Sequence, residues 1–393
     1  MSTPDPAQPG VEATLLGSVD ELDAIAPAWD ALADDARRPT CTSVWLIGWA
    51  RRHVAPGALR VVVVRSVGEV IGVYPAALTA GRAGVQRLEL LGTGTTSGIE
   101  PLACAGREDE VARAVVTALA GTRPRIDAVT LEGVPAGSPW PALLTRHWPG
   151  ARERLLFQEI VEPEPLITLQ GEDFEAWMVT KSGNFRSQIR RARRTLERDG
   201  GAVRRTADAA ELERDLAAFV RLHEGRWEGR GGSAVVDAPV QAMLADACPV
   251  LLAQDRLDLW CVDHEGETIG AQLWLRGPAV STMWLSGSDD RHAAVRPSML
   301  IMAQVVQDAY ARGLDVVSLG AGGQEYKLRF SDAQDAIAWW TLLLPGPRLP
   351  IVLGEVGAGR ARRVIGARTP PERKAQLRAL AARARAARDR IPV

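Results

Sequence analysis

A carboxylate, a phenol and an ammonium stand in a row at Glu325-Tyr326-Lys327, just after the glycine run Gly320-Ala321-Gly322-Gly323. A bare backbone of this kind leaves room for a ligand, although it also fits a tight turn. Lys327 is a fixed charge able to stabilise a developing oxyanion or a leaving group, and Glu325 can orient it or accept a proton through water. The competing reading is a surface turn with a Glu-Lys pair. The chain holds three tyrosines, and Tyr74 and Tyr310 fall inside strand and helix patterns, which singles out Tyr326.

Two further segments are chemically marked. The loop Asp289-Asp-Arg291-His-Ala-Ala-Val-Arg296-Pro297-Ser298 runs straight into a helical pattern. The free N–H groups and positive dipole end of a helix start suit a diphosphate, with Arg291 or Arg296 as added counter-charge. Ser298 also suits a helix cap, and the two roles are compatible. Upstream, Asn184 and Gly200 bracket an arginine-rich helix. Phe185, Ile189, Ala192 and Leu196 share its buried stripe, which leaves Arg186, Arg190, Arg191, Arg193, Arg194 and Arg198 on the remaining surface. Arg190 and Arg194 lie one turn apart and make the pair best placed for phosphate. Most of the other arginines read as a solvated face. His223 and Trp227, four residues apart on an apolar stripe, read as packed core.

These segments must be positioned by a repeated scaffold. Val64-Arg-Ser-Val-Gly68-Glu69-Val70-Ile71-Gly72 returns as Val262-Asp-His-Glu-Gly266-Glu267-Thr268-Ile269-Gly270. Each copy has the residue chemistry of two strands joined at a Gly-Glu turn. A second echo, Ile126-Asp127-Ala-Val-Thr-Leu131 against Leu314-Asp315-Val-Val-Ser-Leu319, follows a helical segment both times. The order hairpin, strand, helix, strand, occurring twice, predicts a duplicated α/β fold with mixed sheets and a cleft between or beside the copies. The periodicity predicts helices over Val19–Ala33, Ser43–His53, Glu108–Ala120, Ala210–Glu228 and Ser298–Arg312. It predicts strands over Leu59–Val64, Val70–Leu78, Arg87–Leu91, Ile126–Leu131, Leu257–Leu275 as a hairpin, Val280–Ser286, Leu314–Leu319 and Ile337–Leu343. Phe157–Pro165 reads as a bridge between the halves.

With 393 residues, 46% hydrophobic and 24% charged, the chain has the length and composition of two soluble domains with a tail. The expected division is 11–165, 166–345 and a basic helical tail over 346–393. Net charge is -1, yet from Gly354 onward eleven Lys and Arg face three acidic residues, a local +8 that leaves -9 for the body. Ala-Arg repeats and Pro370-Pro371 favour a helix in that tail; it reads as solvated and carries no catalytic role. Four cysteines without C-x-x-C spacing point to a reduced, cytoplasmic compartment and no structural metal. No apolar stretch approaches the roughly 20 residues of a membrane helix.

From Phe185 to Phe330 the marks occur in one order: Phe185-x-x-x-Ile189-Arg190-Arg191-x-x-Arg194-x-Leu196-Glu197-x-x-Gly200, then Ser286-Gly287-x-Asp289, then Glu325-Tyr326-Lys327. In this order the chain resembles the CelD-like GNAT acetyltransferases, and more distantly the Fem-type peptidyltransferases, which pair two GNAT domains and take an aminoacyl group from tRNA. The resemblance implies tandem GNAT-like domains, the second binding the donor and the first, degenerate one shaping the acceptor pocket. It implies transfer of an acyl group from acetyl-CoA or another acyl-CoA to an amine of a small molecule or cell-envelope glycan precursor. Tyr326 would protonate the leaving thiolate, with Lys327 and Glu325 beside it. Arg291, Arg296, Ser298, Arg190 and Arg194 would hold the donor, and Trp284, Gln272 and Ser286 would face the acyl channel. The family's loop of two spaced glycines is missing between Arg291 and Ser298, and bulky residues there hinder close backbone approach to a pyrophosphate. Two alternatives follow: a Fem-like transferase using charged tRNA, and a catalytically silent polysaccharide assembly factor.

Overall fold

The computed structural model describes residues 10–227 and 235–368, with side chains described up to Gly225 in the first stretch and Ala361 in the second. The first run of elements is β1 (Val11–Leu16), α1 (Ala26–Asp35), α2 (Ser43–His53), β2 (Val61–Ser66), β3 (Glu69–Tyr74), β4 (Ala76–Ala80), β5 (Gln86–Leu90), β6 (Leu102–Ala103), α3 (Glu108–Ala120) and β7 (Ala128–Pro135). Four connecting elements follow: α4 (Trp140–His147), β8 (Leu156–Thr168), α5 (Phe174–Thr180) and α6 (Gly183–Arg198). The opening order then returns in β9 (Ala202–Arg205), α7 (Ala209–Trp227), α8 (Ala238–Ala253), β10 (Leu257–His264), β11 (Glu267–Arg276), β12 (Val280–Ser288), α9 (Pro297–Ala311) and β13 (Val316–Ser318). After these come α10 (Glu325–Phe330), β14 (Ala333–Leu343) and α11 (Leu349–Arg368).

The repetition reaches the backbone angles. Val67 and Gly68 have φ of 51° and 87°, and Glu265 and Gly266 have 50° and 82°. Two successive left-handed residues make the hairpin turn whose twist matches its strands, and glycine takes the second place without a Cβ penalty. A ladder shift follows in each hairpin, between Val64 and Arg65 and between Val262 and Asp263. Each copy ends in a parallel pair, β5 with β7 and β12 with β13, crossed over by α3 or α9.

Among the described residues, one sheet runs β1-β2-β3-β6 and a larger one runs β4-β5-β7-β14-β8-β13-β12-β11-β10-β9. The long strands β8 and β14 pair with each other over most of their length, while β14 also pairs with β7 and β8 with β13. They therefore join β4, β5 and β7 of the first repeat to the strands of the second in one sheet. One continuous core contains Trp29, Trp45 and Leu46 from the first repeat with Leu244, Leu251, Leu259 and Leu273 from the second. Helices α2 and α8 meet in it so closely that a Cβ on Gly48 would lie 3.3 Å from the Ala247 Cβ. A second core, holding Trp177, Phe185, Ile189, Leu300 and Phe330, packs α5, α6, α9 and α10 together. Among the described residues no helix is long and apolar enough to cross a membrane, and no group of three metal-ligating side chains converges.

Several expectations are corrected. The helix expected over Val19–Ala33 is two short 3-10 turns, and α1 begins only at Ala26, with Pro27 in its first turn. The strand expected over Val70–Leu78 breaks at Pro75, so that β3 and β4 enter different sheets. Phe157–Pro165 is part of a long paired strand rather than a bridge. Ser182, not Asn184, caps α6: its side chain accepts from the Phe185 N–H at 3.2 Å. Helices α4 and α8 and strand β9 were not expected. The early part of the tail is not solvated, because Val352 and Val356 of α11 are buried in a small core with Val85 and Leu343, and Arg87 pairs with Glu355. The helix start expected at Pro370-Pro371 and the side chains of Arg226 and Trp227 lie outside the described residues.

Candidate active site

The parallel ladder between β12 and β13 ends at Thr282 and Ser318, although β12 continues to Ser288. Two strands that part in this way open a wedge, and the wedge holds the functional candidates. On its other side the β11–β12 ladder steps from Leu273–Leu285 to Trp274–Met283, which leaves Trp284 as the extra residue of a bulge. The bulge turns its indole toward the first repeat. There Nε1 donates to the Thr95 carbonyl at 2.9 Å, and the ring meets Trp45 edge-on at 5.1 Å.

The wedge opens into a cavity of about 490 Å³ whose walls come from both repeats. Gly94–Ser97, Glu132 and Glu164 line it on one side, and Met283–Ser286, Gly320, Gln324, Tyr326 and Lys327 on the other. His223 of α7 reaches it because α7 lies against β12 at Gly287, where an added Cβ would stand 2.6 Å from the His223 backbone nitrogen. His223 Nδ1 lies 3.3 Å from the Ser286 carbonyl. A carbonyl only accepts, so in that contact Nδ1 is the donor.

Lys327 is buried, and its ammonium donates to the carbonyls of Ala321 and Gly320 at 2.8 and 3.3 Å. The glycine run is thus folded around a positive charge that faces the cavity. Tyr326 is half-buried, and its hydroxyl has no hydrogen-bond partner among the described residues. Its ring also lines a second cavity of about 240 Å³, with Ser288–Asp290, Arg296–Met299, Arg329 and Phe330. Tyr326 is the residue common to both cavities.

The remaining sequence-predicted residues are spread out. Trp284 and Ser286 line the larger cavity, while Arg296 and Ser298 line the smaller one. Gln272 is fully buried outside both walls, with Nε2 donating to the Ser298 carbonyl at 3.2 Å. Arg291 is exposed and forked onto Asp289 at 2.6 to 3.1 Å, and this hydrogen bonding holds the Asp289 carboxyl below its usual range. Glu325, Arg190 and Arg194 are exposed and line neither cavity.

Sequence reasoning missed Glu132, Glu164 and Arg329, and for His223 it favoured a packed core over a ligand site. Burial first, then the neighbouring Glu89 and Glu159, pushes the Glu132 carboxyl up from its ordinary value. A carboxyl inside a strand whose other residues, Thr130 apart, are apolar, Ala128–Pro135, was a signal available in the sequence. Glu164 accepts from the Ser318 hydroxyl at 2.6 Å, which fixes it at the point where β12 and β13 part.

Solved structures with this fold include FemX, at 11% identity, 87% coverage of this chain, 99% of that one and a TM-score of 0.61. A second is the C-terminal domain of a proposed lysylphosphatidylglycerol synthetase from Agrobacterium fabrum, at 11% identity, 86% and 96% coverage and a TM-score of 0.54. A third is L-PGS from Bacillus licheniformis, at 12% identity, 88% and 97% coverage and a TM-score of 0.52. Among curated proteins none matches the sequence. Residues 183–328, which include β12, β13, Tyr326 and Lys327, match the family model described as an acetyltransferase (GNAT) domain.

Proposed function

We propose that the chain is an acyl-CoA-dependent N-acyltransferase that moves an acyl group, most simply acetyl, to an amine by direct attack in a ternary complex. The observation that carries this reading is the single phenol shared by two cavities. A thioester donor supplies the activated acyl carbon. Arg296 and Ser298 hold its phosphates in the smaller cavity, and the wedge at Met283–Ser286 takes its acyl end. Tyr326 gives its proton to the departing thiolate. Lys327 places a fixed charge where the carbonyl oxygen becomes negative. His223 or Glu164, both in the wall of the larger cavity, takes the proton from the amine. Glu132 and Glu164 give the acceptor side two carboxyl groups, which, with Glu132 ionised as pH rises, suit a cationic amine of a small molecule or envelope-glycan precursor. In this reading residues 166–345 form the donor-binding domain, residues 11–165 the domain that shapes the acceptor pocket, and the setting is cytoplasmic.

The test is thermal unfolding across a titration of acetyl-CoA, longer acyl-CoAs and free coenzyme A. A concentration-dependent rise is expected from linkage, and no shift at millimolar ligand contradicts the reading. A second reading, a donor carried on tRNA, draws on α6, where Arg190, Arg191, Arg193 and Arg194 have no carboxylate partner among the described residues. Steeply salt-dependent binding of charged tRNA, with no response to acyl-CoA, would favour it.

A further inference from the structure

The start of α9 offers an anion little backbone. Pro297 has no N–H, and the N–H groups of Met299 and Leu300 both go to the Arg296 carbonyl, at 3.0 and 3.2 Å. What converges there instead is side-chain charge. Arg296 donates to Gln188 Oε1 at 2.8 Å, and Arg329 of α10 donates to the same oxygen at 2.6 Å. Their donor nitrogens are therefore no farther apart than those two distances together. Neither guanidinium has a carboxylate partner among the described residues, although ion pairs are common elsewhere in the chain. The amide between them is oriented, because Gln188 Nε2 donates to Asn184 Oδ1 at 3.1 Å and so turns its oxygen toward the arginines. Arg329 is further held over the Phe185 ring at 5.8 Å, and Arg296 is fixed in a left-handed conformation, with φ of 56°. Two cations pinned side by side by one neutral oxygen, at the rim of a cavity, form a site prepared for a doubly charged anion.

We infer that Arg296 and Arg329, braced by Gln188, form a phosphate cradle that replaces backbone N–H binding at the helix start. The inference rests on the proposed donor reading and adds Arg329 and Gln188 to it. The ligand class is a phosphate ester or diphosphate. It explains how a loop without glycine can serve a phosphorylated donor: the phosphate is gripped by forked side chains from α10 and the α9 entrance, and no close backbone approach is required. Asp289 and Asp290 also border the cavity, with Asp289 already neutralised by Arg291.

The experiment is calorimetric titration of the full chain with inorganic pyrophosphate and, separately, with acetyl-CoA. The variants are Arg329→Ala, Arg329→Lys and, as a control at the far end of the helix that carries Gln188, Arg198→Ala, whose guanidinium is bound to Asp199. Each is first checked for an unchanged melting temperature. Pyrophosphate is expected to bind the parent chain, to weaken at least about tenfold in Arg329→Ala, to recover only in part in Arg329→Lys, and to be unaffected by Arg198→Ala. Absence of pyrophosphate binding, or equal loss in Arg198→Ala and Arg329→Ala, overturns the cradle. If Arg329→Ala fails to fold, Gln188→Leu, which removes the bracing oxygen, must weaken pyrophosphate binding or the cradle falls. Pyrophosphate binding without acetyl-CoA binding upholds the cradle and overturns the donor reading instead.

Discussion

At the scale of single residues, what matters is which polar groups are held ready and which are locked away. Tyr326 lines two cavities and its hydroxyl has no partner among the described residues, while Lys327 is pinned by two carbonyls of the glycine run. Tyr326→Phe should therefore lower kcat by about 10²-fold or more with little change in melting temperature, since general-acid groups contribute on that order. Lys327→Ala should lower kcat and stability together, because it removes both a charge and the brace of the run. Glu132 adds a pH dependence. Its carboxyl is raised by burial and by Glu89 and Glu159, so it ionises at higher pH than an ordinary carboxyl. KM for a cationic amine should fall as pH rises through that transition, and Glu132→Gln should flatten the profile. Asp215 behaves oppositely. Burial acts to raise it, but hydrogen bonds from Arg204, Arg214 and Thr206 prevail and bring it down to about 2. Its contribution to stability is complete above the unfolded-state value and is lost as pH falls through about 2. Acid unfolding of Asp215→Asn should accordingly show a shallower slope below pH about 4 than the parent chain. Tyr326 and Lys327 were legible from the sequence because a rare residue type follows a glycine run. Arg329 was not, because its role depends on Gln188, 141 residues away.

At the scale of elements, the bulge in β12 and the crossing of α7 over it build the site. Gly287 allows that crossing, and an added Cβ would collide with backbone at His223 and Leu222. Gly287→Ala should destabilise the protein by about 1–3 kcal/mol and also reduce activity, since it pushes His223 away from the cavity; denaturant midpoints and kcat measure the two effects. The hairpins were readable because a Gly-Glu turn between β-branched runs has one favoured backbone solution. Helix α8 escaped because it is apolar on most sides and contains Pro249, which removes both the periodic signal and the expected continuity. Strand β8 escaped because Pro163 and Pro165 each withdraw a ladder donor and read as a linker, yet both stand in register with β14.

At the scale of the whole molecule, two copies of one element order share a continuous core and one sheet, and the larger cavity lies where they meet. Trp45 with Trp284, and the two-pronged Asp34–Arg256 pair at 2.6 and 2.8 Å, tie the copies beside it. Unfolding of the full chain should then be a single transition by near-UV and far-UV signals, and two separated transitions would show that the copies are independent. The duplication was visible in the sequence through its two echoes. The fastening by β8 and β14 was not, since strand pairing across such long separations leaves no local signature. The central claim is acyl transfer at Tyr326, and steady-state release of coenzyme A tests it most directly. Purified chain and its Tyr326→Phe variant would be given acetyl-CoA with a panel of amines, and thiol release measured together with mass detection of acylated product. Cys41, Cys248 and Cys261 are buried, with Cys41 and Cys261 pushed up to about 12 by burial, so the half-buried Cys104 is the thiol whose background a no-amine control must subtract. The account predicts amine-dependent thiol release and acylated product, reduced about 10²-fold or more in the variant. Equal rates in the two proteins, or no product with any amine despite bound acetyl-CoA, would contradict it.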